Sequence, residues 1–438
     1  MIHFLEITLR KFTRMTAKIT SRTEDTLVIE ITLPLARSML EGEGYIEQAL
    51  NDAGSLATGE LLKRFDTDGS AIQMGSTRLT SKGQVEKTYQ TPYGETRLKR
   101  HVYQSPQGGA TFCPLERDAR IIQGATPKLA KLLSHKYSKL SVDEVKTDLQ
   151  SNHGRTLSRG YIQKVSETVG ALAQAKEEQW HYATPALDAA VATVSIGLDG
   201  TTVYLREQGY RMAMVGTVAL YDSAGERLHT TYLGASPEYG KASFLERMRQ
   251  EIAHTKQLYP EALYIGLADG ATDNWTFLNP HTTIQVTDFW HATEYLAQAG
   301  EALFPAKRDA VRKKAWLDER CHKLKHLKGA AGRILKELQG ALAGTLSASN
   351  REKLHKAISY FIHQKARMRY YALTQQALPI GSGVTEAACK MIVKQRLCQS
   401  GMKWNEKGAS IILSLRTLER SNRWEQFWGK INQYGAAY

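Results

Sequence analysis

The 438-residue sequence predicts an α/β fold: a mixed sheet with helices on both faces, interrupted by an all-helical insertion and preceded by a β-hairpin module and a helix-turn-helix-like region. Three observations predict it. Between Val194 and His291, apolar runs alternate with amphipathic stretches in the order strand-strand-strand-helix-strand-helix-strand-helix. From Pro305 to Gln375 the chain keeps a helical period and is rich in Lys and Arg. From Ala71 to Cys113, short alternating runs are broken by turn residues, as in a meander of hairpins.

The elements follow in order. Thr26–Leu33 reads as strand-like, and the stretch around Ile46–Phe65 as helical. Ser81-Lys-Gly83, Pro92-Tyr-Gly94 and Ser105-Pro-Gln-Gly-Gly109 supply the turns of the meander. Pro127–His135 opens with Thr126 as N-cap and Pro127 at the first helical position. Ser141-Val-Asp-Glu144 matches a capping box ahead of a second helix, and Asn152-His-Gly-Arg155 leads to a third, Ser158–Leu172. Three short helices with a glycine turn suit a helix-turn-helix whose last helix carries Arg159, Tyr161 and Lys164 toward DNA; they equally suit a plain scaffold. Beyond Pro185, Val194–Leu198 ends in Asp199-Gly200, Tyr210–Tyr221 and Arg227–Leu233 flank the turn Asp222-Ser-Ala-Gly225, and Lys241–Leu258 is an amphipathic helix. Ala262–Leu267 then ends in Ala268-Asp269-Gly270, a short helix spans Asn274–Leu278, and Thr283–Val286 precedes a helix opened by Asp288-Phe-Trp-His291. Three antiparallel strands, then strands reached through helices, is the order of an RNase H-like core. Gly383–Gln399 reads as a final helix that closes it. The expected domains are residues 1–125 (hairpin module), 126–185 (helix-turn-helix-like), 186–304 (first part of the core), 305–375 (basic insertion) and 376–438 (last part of the core).

Composition narrows the function classes. With 42% hydrophobic and 23% charged residues the chain is globular rather than disordered. No apolar run approaches the ~20 residues of a membrane span, and Met1–Lys11 lacks a signal pattern. Cys113, Cys321, Cys389 and Cys398 form no disulfide framework, so a cytoplasmic setting without membrane attachment is expected. The net charge of +14 is concentrated: residues 301–438 hold 26 Lys and Arg against 10 Asp and Glu, while residues 1–300 sum to −2. Such a concentration suits a surface that meets a polyanion; solubility or an acidic protein partner are the alternatives.

Two aspartates follow apolar strands, Asp199 and Asp269. Asp-Gly is an ordinary turn pair, and either residue alone would be read that way. Glu386 lies in the first turn of a helix, where the helix N-terminus, a surface charge or a pair with Lys390 would each account for it. Together, though, strand-end aspartates on neighbouring strands repel unless a cation lies between them, and carboxylates are the hard ligands that Mg²⁺ takes. Asp288 also follows a strand and is the rival for a metal position.

The strings Ile196-Gly-Leu-Asp199-Gly, Leu267-Ala-Asp269-Gly-Ala, Asp288-Phe-Trp-His291 and Gly381-Ser-Gly-Val-Thr-Glu386, with the tail Arg396-Leu-Cys-Gln-Ser-Gly401-Met-Lys-Trp404, resemble insertion-sequence transposases of the DDE class, ISKra-type group, over residues 190–425. The resemblance implies an RNase H-like catalytic domain in which Asp199, Asp269 and Glu386 bind Mg²⁺, with Mn²⁺ able to substitute, and a helical insertion between Asp269 and Glu386, which are 117 residues apart. It places His291 near the scissile phosphate; capping or packing its own helix is the equal alternative. Relatives often carry a zinc ribbon ahead of the helix-turn-helix, but residues 103–116 offer only Cys113, so a metal-free hairpin module without zinc is expected.

The implied activity is metal-dependent cleavage at transposon ends followed by strand transfer into target DNA. The partners are then double-stranded DNA and, because two ends must meet, a homodimer or larger assembly. Arg312, Lys313, Lys314, Lys323, Lys325 and Lys328 of the insertion are the expected backbone contacts. Lys390, Lys394 and Arg396, after Glu386, are further candidates for transposon-end phosphates. Trp275 and Trp404 are candidates to stack on distorted bases or to serve the core. The other readings are an RNase H-like nuclease or resolvase that never joins strands, and a domesticated non-catalytic DNA-binding protein.

Overall fold

The computed structural model describes residues 16–177, 182–236 and 240–434. The chain divides into two compact units, residues 1–176 with 425–438, and residues 177–424.

In the first unit, β1 (Thr16–Arg22) and β2 (Leu27–Thr32) form an antiparallel pair ahead of α1 (Met39–Lys63). The expected meander is a four-stranded sheet of β3 (Ile72–Met74), β4 (Thr77–Gln90), β5 (Glu95–Ser105) and β6 (Gly108–Phe112). The short helix α2 (Pro114–Asp118) follows, and Cys113 at its N-cap is buried beside Leu62, Tyr89, Leu98 and Leu115. Cys113 thus serves a small apolar core, which pushes its thiol pKa up.

Helices α3 (Pro127–Lys139), α4 (Val142–His153) and α5 (Arg159–Lys176) follow in the same unit. The Ser141–Glu144 capping box is present with both bonds, and Gly154 ends α4 in the left-handed conformation at φ 58°. Thr126 starts α3 by backbone alone, since its buried hydroxyl has no partner among the described residues. On α5, Arg159 pairs with Asp143 at 3.1 Å and Lys164 is exposed. Tyr161 turns inward, its hydroxyl buried.

The second unit is built on a five-stranded sheet of order β11-β10-β7-β8-β9. Its strands are β7 (Thr193–Leu205), β8 (Gly209–Tyr221), β9 (Arg227–Ala235), β10 (Leu263–Ala268) and β11 (Ile284–Thr287). The β7-β8-β9 part is antiparallel, and β10 and β11 add in parallel. Parallel addition requires crossovers, supplied by α6 (Gly240–Leu258) and α7 (Thr272–Leu278).

Both faces are covered. On one, Ile196, Leu198, Val218 and Leu233 bury Phe244, Met248 and Ile252 of α6. On the other, Ile265, Leu267 and Val286 share a core with α8 (Phe289–Leu303) and the insertion. That insertion comprises α9 (Ala310–His326), α10 (Ala330–Ala341), α11 (Ala348–Gln364) and the short α12 (Tyr370–Thr374).

The expected closing helix is present but interrupted, and it is not the last. It runs as α13 (Gly383–Ala388), a π-helical turn (Cys389–Lys394) and α14 (Gln395–Leu397). Two helices follow, α15 (Glu406–Arg420), nearly all buried against the sheet, and α16 (Trp424–Tyr434), which belongs to the first unit from Glu425 onward. Among the described residues no helix is long and apolar enough to cross a membrane.

Candidate active site

Sheet register brings the aspartates to one level. Gly197 of β7, Leu267 of β10 and Val286 of β11 lie in one row of Cα partners. Asp199 comes two residues later within β7, and Asp269 and Asp288 come two residues later, just past the ends of β10 and β11. Because side chains alternate with period two, the three positions share the parity of that row. One expectation changes here: Asp199 does not end its strand. β7 continues to Leu205 against β8, with Thr201, Val203 and Leu205 buried in alternation, so Asp199 sits mid-strand, where β10 has already ended.

Glu386 reaches this level because α13 lies directly on β7 and β8. Thr385 is buried and its hydroxyl meets that of Thr217 at 2.7 Å. A Cβ on Gly197 would collide with Thr385 Oγ1, so the close approach of α13 requires glycine there. Gly197→Ala is therefore expected to cost roughly 1–3 kcal/mol by overpacking, read as a lower urea midpoint at unchanged slope.

The π-helical turn after α13 is held from behind. Arg416 of α15, buried, donates from Nε to Met391 O at 3.1 Å and Ile392 O at 3.0 Å, and its terminal nitrogen also meets Met391 O. Burial pushes the Arg416 pKa down to about 10. The turn presents Cys389, whose Sγ donates to Asp199 Oδ2 at 3.3 Å. Burial first, and then the Asp199 charge, push this thiol's pKa up, so it remains a donor. Asp199, Glu386, Cys389, Lys390 and Lys394 line an open cavity of about 680 Å³. Cys389 is the member that sequence reading missed. Only its i+3 spacing from Glu386 hints at it, and many buried cysteines share such spacing.

A second grouping meets at Glu386. Asp288, His291 and Glu386 have ligand atoms within 4.8 Å of one another, the one such group among the described residues. Asp288 is fully buried and caps α8, accepting the His291 N–H at 2.7 Å on Oδ1. Its Oδ2 accepts the backbone N–H of Ser382. Ser382 in turn donates from its hydroxyl to Glu386 Oε1 at 3.0 Å. His291 is half-buried, with Nδ1 3.2 Å from Glu294. Two carboxylates and an imidazole suit a divalent cation, with the rest of its shell left to water or substrate. Glu386 is exposed enough to serve as a ligand, whereas both Asp288 oxygens already hold backbone amides.

Asp269 belongs to neither grouping. It is exposed, and its Oδ1 accepts Ala271 N at 3.0 Å and Asn274 Nδ2 at 3.4 Å, the turn role that Asp-Gly suggests by itself.

The remaining candidates divide sharply. Lys390 and Lys394 are exposed and line the Asp199–Glu386 cavity. Arg396, expected to reach DNA phosphates, is instead 1% exposed, packed over the Trp404 ring at 4.9 Å and near Met402 Sδ at 3.6 Å. It presents no surface to DNA. Trp275 is 4% exposed beneath Arg367 at 4.5 Å, and Trp404 is half-buried, so both serve packing. On the insertion Arg312 and Lys314 are exposed; Lys323 pairs with Glu319; Lys313, Lys325 and Lys328 enter no ion pair among the described residues.

Fold and site together define a mixed α/β unit carrying an Asp/His/Glu cluster able to chelate a divalent metal, an arrangement compatible with hydrolytic, nuclease-like chemistry in general. Compared with protein-family models the chain matches none, and no curated protein matches it.

Proposed function

We propose that the second unit is an RNase H-like catalytic domain and that the protein is a DDE-type transposase, cleaving transposon ends and transferring the freed strands into target DNA. The observation that carries this reading is the double membership of Glu386, which faces Asp199 across an open cavity and lies within ligand distance of Asp288 and His291. Strand order supports it, since a β7-β8-β9 meander extended by two parallel strands is the topology expected of that fold. Bound Mg²⁺ or Mn²⁺ would supply an activated attacking oxygen and charge stabilisation for the leaving one. The chain contributes Asp199 and Glu386 as ligands, with Asp269 joining them by turning from its own loop. Lys390 and Lys394 place positive charge beside the same cavity, where a phosphodiester would lie.

The test is incubation of the protein with Mg²⁺, end-labelled DNA carrying the element's termini, and a plasmid target. Cleaved ends and joined products are expected, both lost with EDTA. Cleavage without joining would favour the nuclease reading, and DNA binding with neither product in Mg²⁺ or Mn²⁺ would favour a non-catalytic binder. Affinity for DNA is also expected to fall steeply with salt. If the basic surface of α9 and α10 makes 6–10 phosphate contacts, the loss between about 50 and 200 mM salt is on the order of 10³–10⁵-fold. A flat salt response would remove the insertion from the interface.

A further inference from the structure

We infer that Tyr360 and Gln364, on the last turn of insertion helix α11, are positioning residues for Asp269: they pin the turn that carries it, so that metal affinity at the sheet edge depends on the insertion. The inference rests on the proposal that Asp269 becomes a metal ligand.

Tyr360 Oη donates to Asp269 O at 2.8 Å, and Gln364 Nε2 donates to Gly270 O at 3.1 Å. Both carbonyls of the Asp269–Gly270 turn are therefore held by side chains that lie 91 and 94 residues further along the chain. Gln364 also works in the other direction. Its Oε1 accepts the Thr287 hydroxyl at 3.1 Å, and Thr287 is the last residue of β11. One buried amide thus ties the ends of β10 and β11 together. The Tyr360 ring is itself fixed, stacked on Tyr295 of α8 with centroids 3.8 Å apart and planes 14° from parallel.

The backbone is shaped to this clamp. Gly270 sits at φ 117°, and a Cβ there would come 3.1 Å from the Tyr360 ring and 3.3 Å from Gln364 Nε2. A side chain would meet both strain and crowding. With the two carbonyls fixed, the exposed Asp269 carboxylate changes partner only by side-chain rotation, from Ala271 N toward a bound cation. Losing the clamp lets the turn wander, and the cation then has to order it.

Mn²⁺ binding to the full chain, followed by electron paramagnetic resonance, tests this with Tyr360→Phe, Asp269→Asn and the double variant. Tyr360→Phe keeps the Tyr295 stack and removes one hydrogen bond. It is expected to weaken Mn²⁺ binding roughly three- to tenfold, the cost of ordering the freed turn around the cation, and to lower the melting temperature by no more than about 4 °C. Asp269→Asn should weaken binding further, and adding Tyr360→Phe to it should cost nothing more, because the route runs through Asp269. Unchanged Mn²⁺ affinity in Tyr360→Phe, or a loss that adds in full to that of Asp269→Asn, overturns the positioning role. Wild-type affinity in Asp269→Asn overturns the ligand assignment itself, which is a separate failure. Gln364→Met, which removes the Gly270 link and leaves the ring stack in place, gives the same readout should Tyr360→Phe fold poorly.

Discussion

Glu386→Gln is expected to reduce Mg²⁺-dependent strand cleavage by roughly 10²–10³-fold or more, the scale of losing one charge-stabilising group in an active site. Glutamine keeps the volume of the side chain and its acceptor for the Ser382 hydroxyl, now 3.0 Å from Glu386 Oε1. What disappears is the charge shared between the Asp199 cavity and the Asp288–His291 group. Because Glu386 is exposed, stability should stay within about 0.5 kcal/mol of wild type. Asp199→Asn should match that loss of cleavage, its Nδ2 able to face Cys389 Sγ in place of the present thiol-to-carboxylate bond. Cleavage of labelled DNA, measured beside DNA binding on the same preparations, checks both. Wild-type cleavage in Glu386→Gln would take the residue out of the site. Cleavage that survives Asp269→Asn but not Asp288→Asn would move the second ligand from β10 to β11.

Much of this arrangement was legible because strong local patterns coincide with it. The strand and helix order from Val194 to His291 follows periodicity, and the Ser141–Glu144 capping box follows a spacing whose two hydrogen bonds are local. Legibility ends where a local pattern has two physical outcomes. Asp199-Gly200 looks like a turn, yet the alternation from Thr201 to Leu205 carries the hairpin through it. Arg396 follows Lys390 and Lys394 in the sequence, yet the two residues from Lys394 turn it by about 200° along a helix, to the opposite face. There it is buried over Trp404. The π-helical turn and Cys389 left no trace in periodicity, because the turn is stabilised from outside by Arg416. The clamp on the Asp269 turn was equally invisible, since its parts are 91 and 94 residues apart.

Asp288 belongs to the metal-capable group with His291 and Glu386, and its surroundings also give it a structural task. It is 0% exposed and accepts the first-turn amide of His291 as well as that of Ser382, while the Phe289 N–H is held by Ile380 O at 3.0 Å. The chain returning from the insertion is thereby fastened to the start of α8 just before it enters α13. Asp288→Ala removes a helix cap and strands two amides in a buried setting, so a loss of about 2–4 kcal/mol in unfolding free energy is expected. Glu386 should lose its place with it, since Ser382 joins the two carboxylates. The measurement is a urea titration paired with Mn²⁺ affinity on whatever fraction remains folded. A ligand whose structural role is minor would show the reverse pattern, near-wild-type stability with lost metal binding, because relieving like-charge repulsion among carboxylates stabilises a metal-free site. The large stability loss is the outcome favoured by the geometry, because both Asp288 oxygens are already committed to backbone amides and a cation would have to share them.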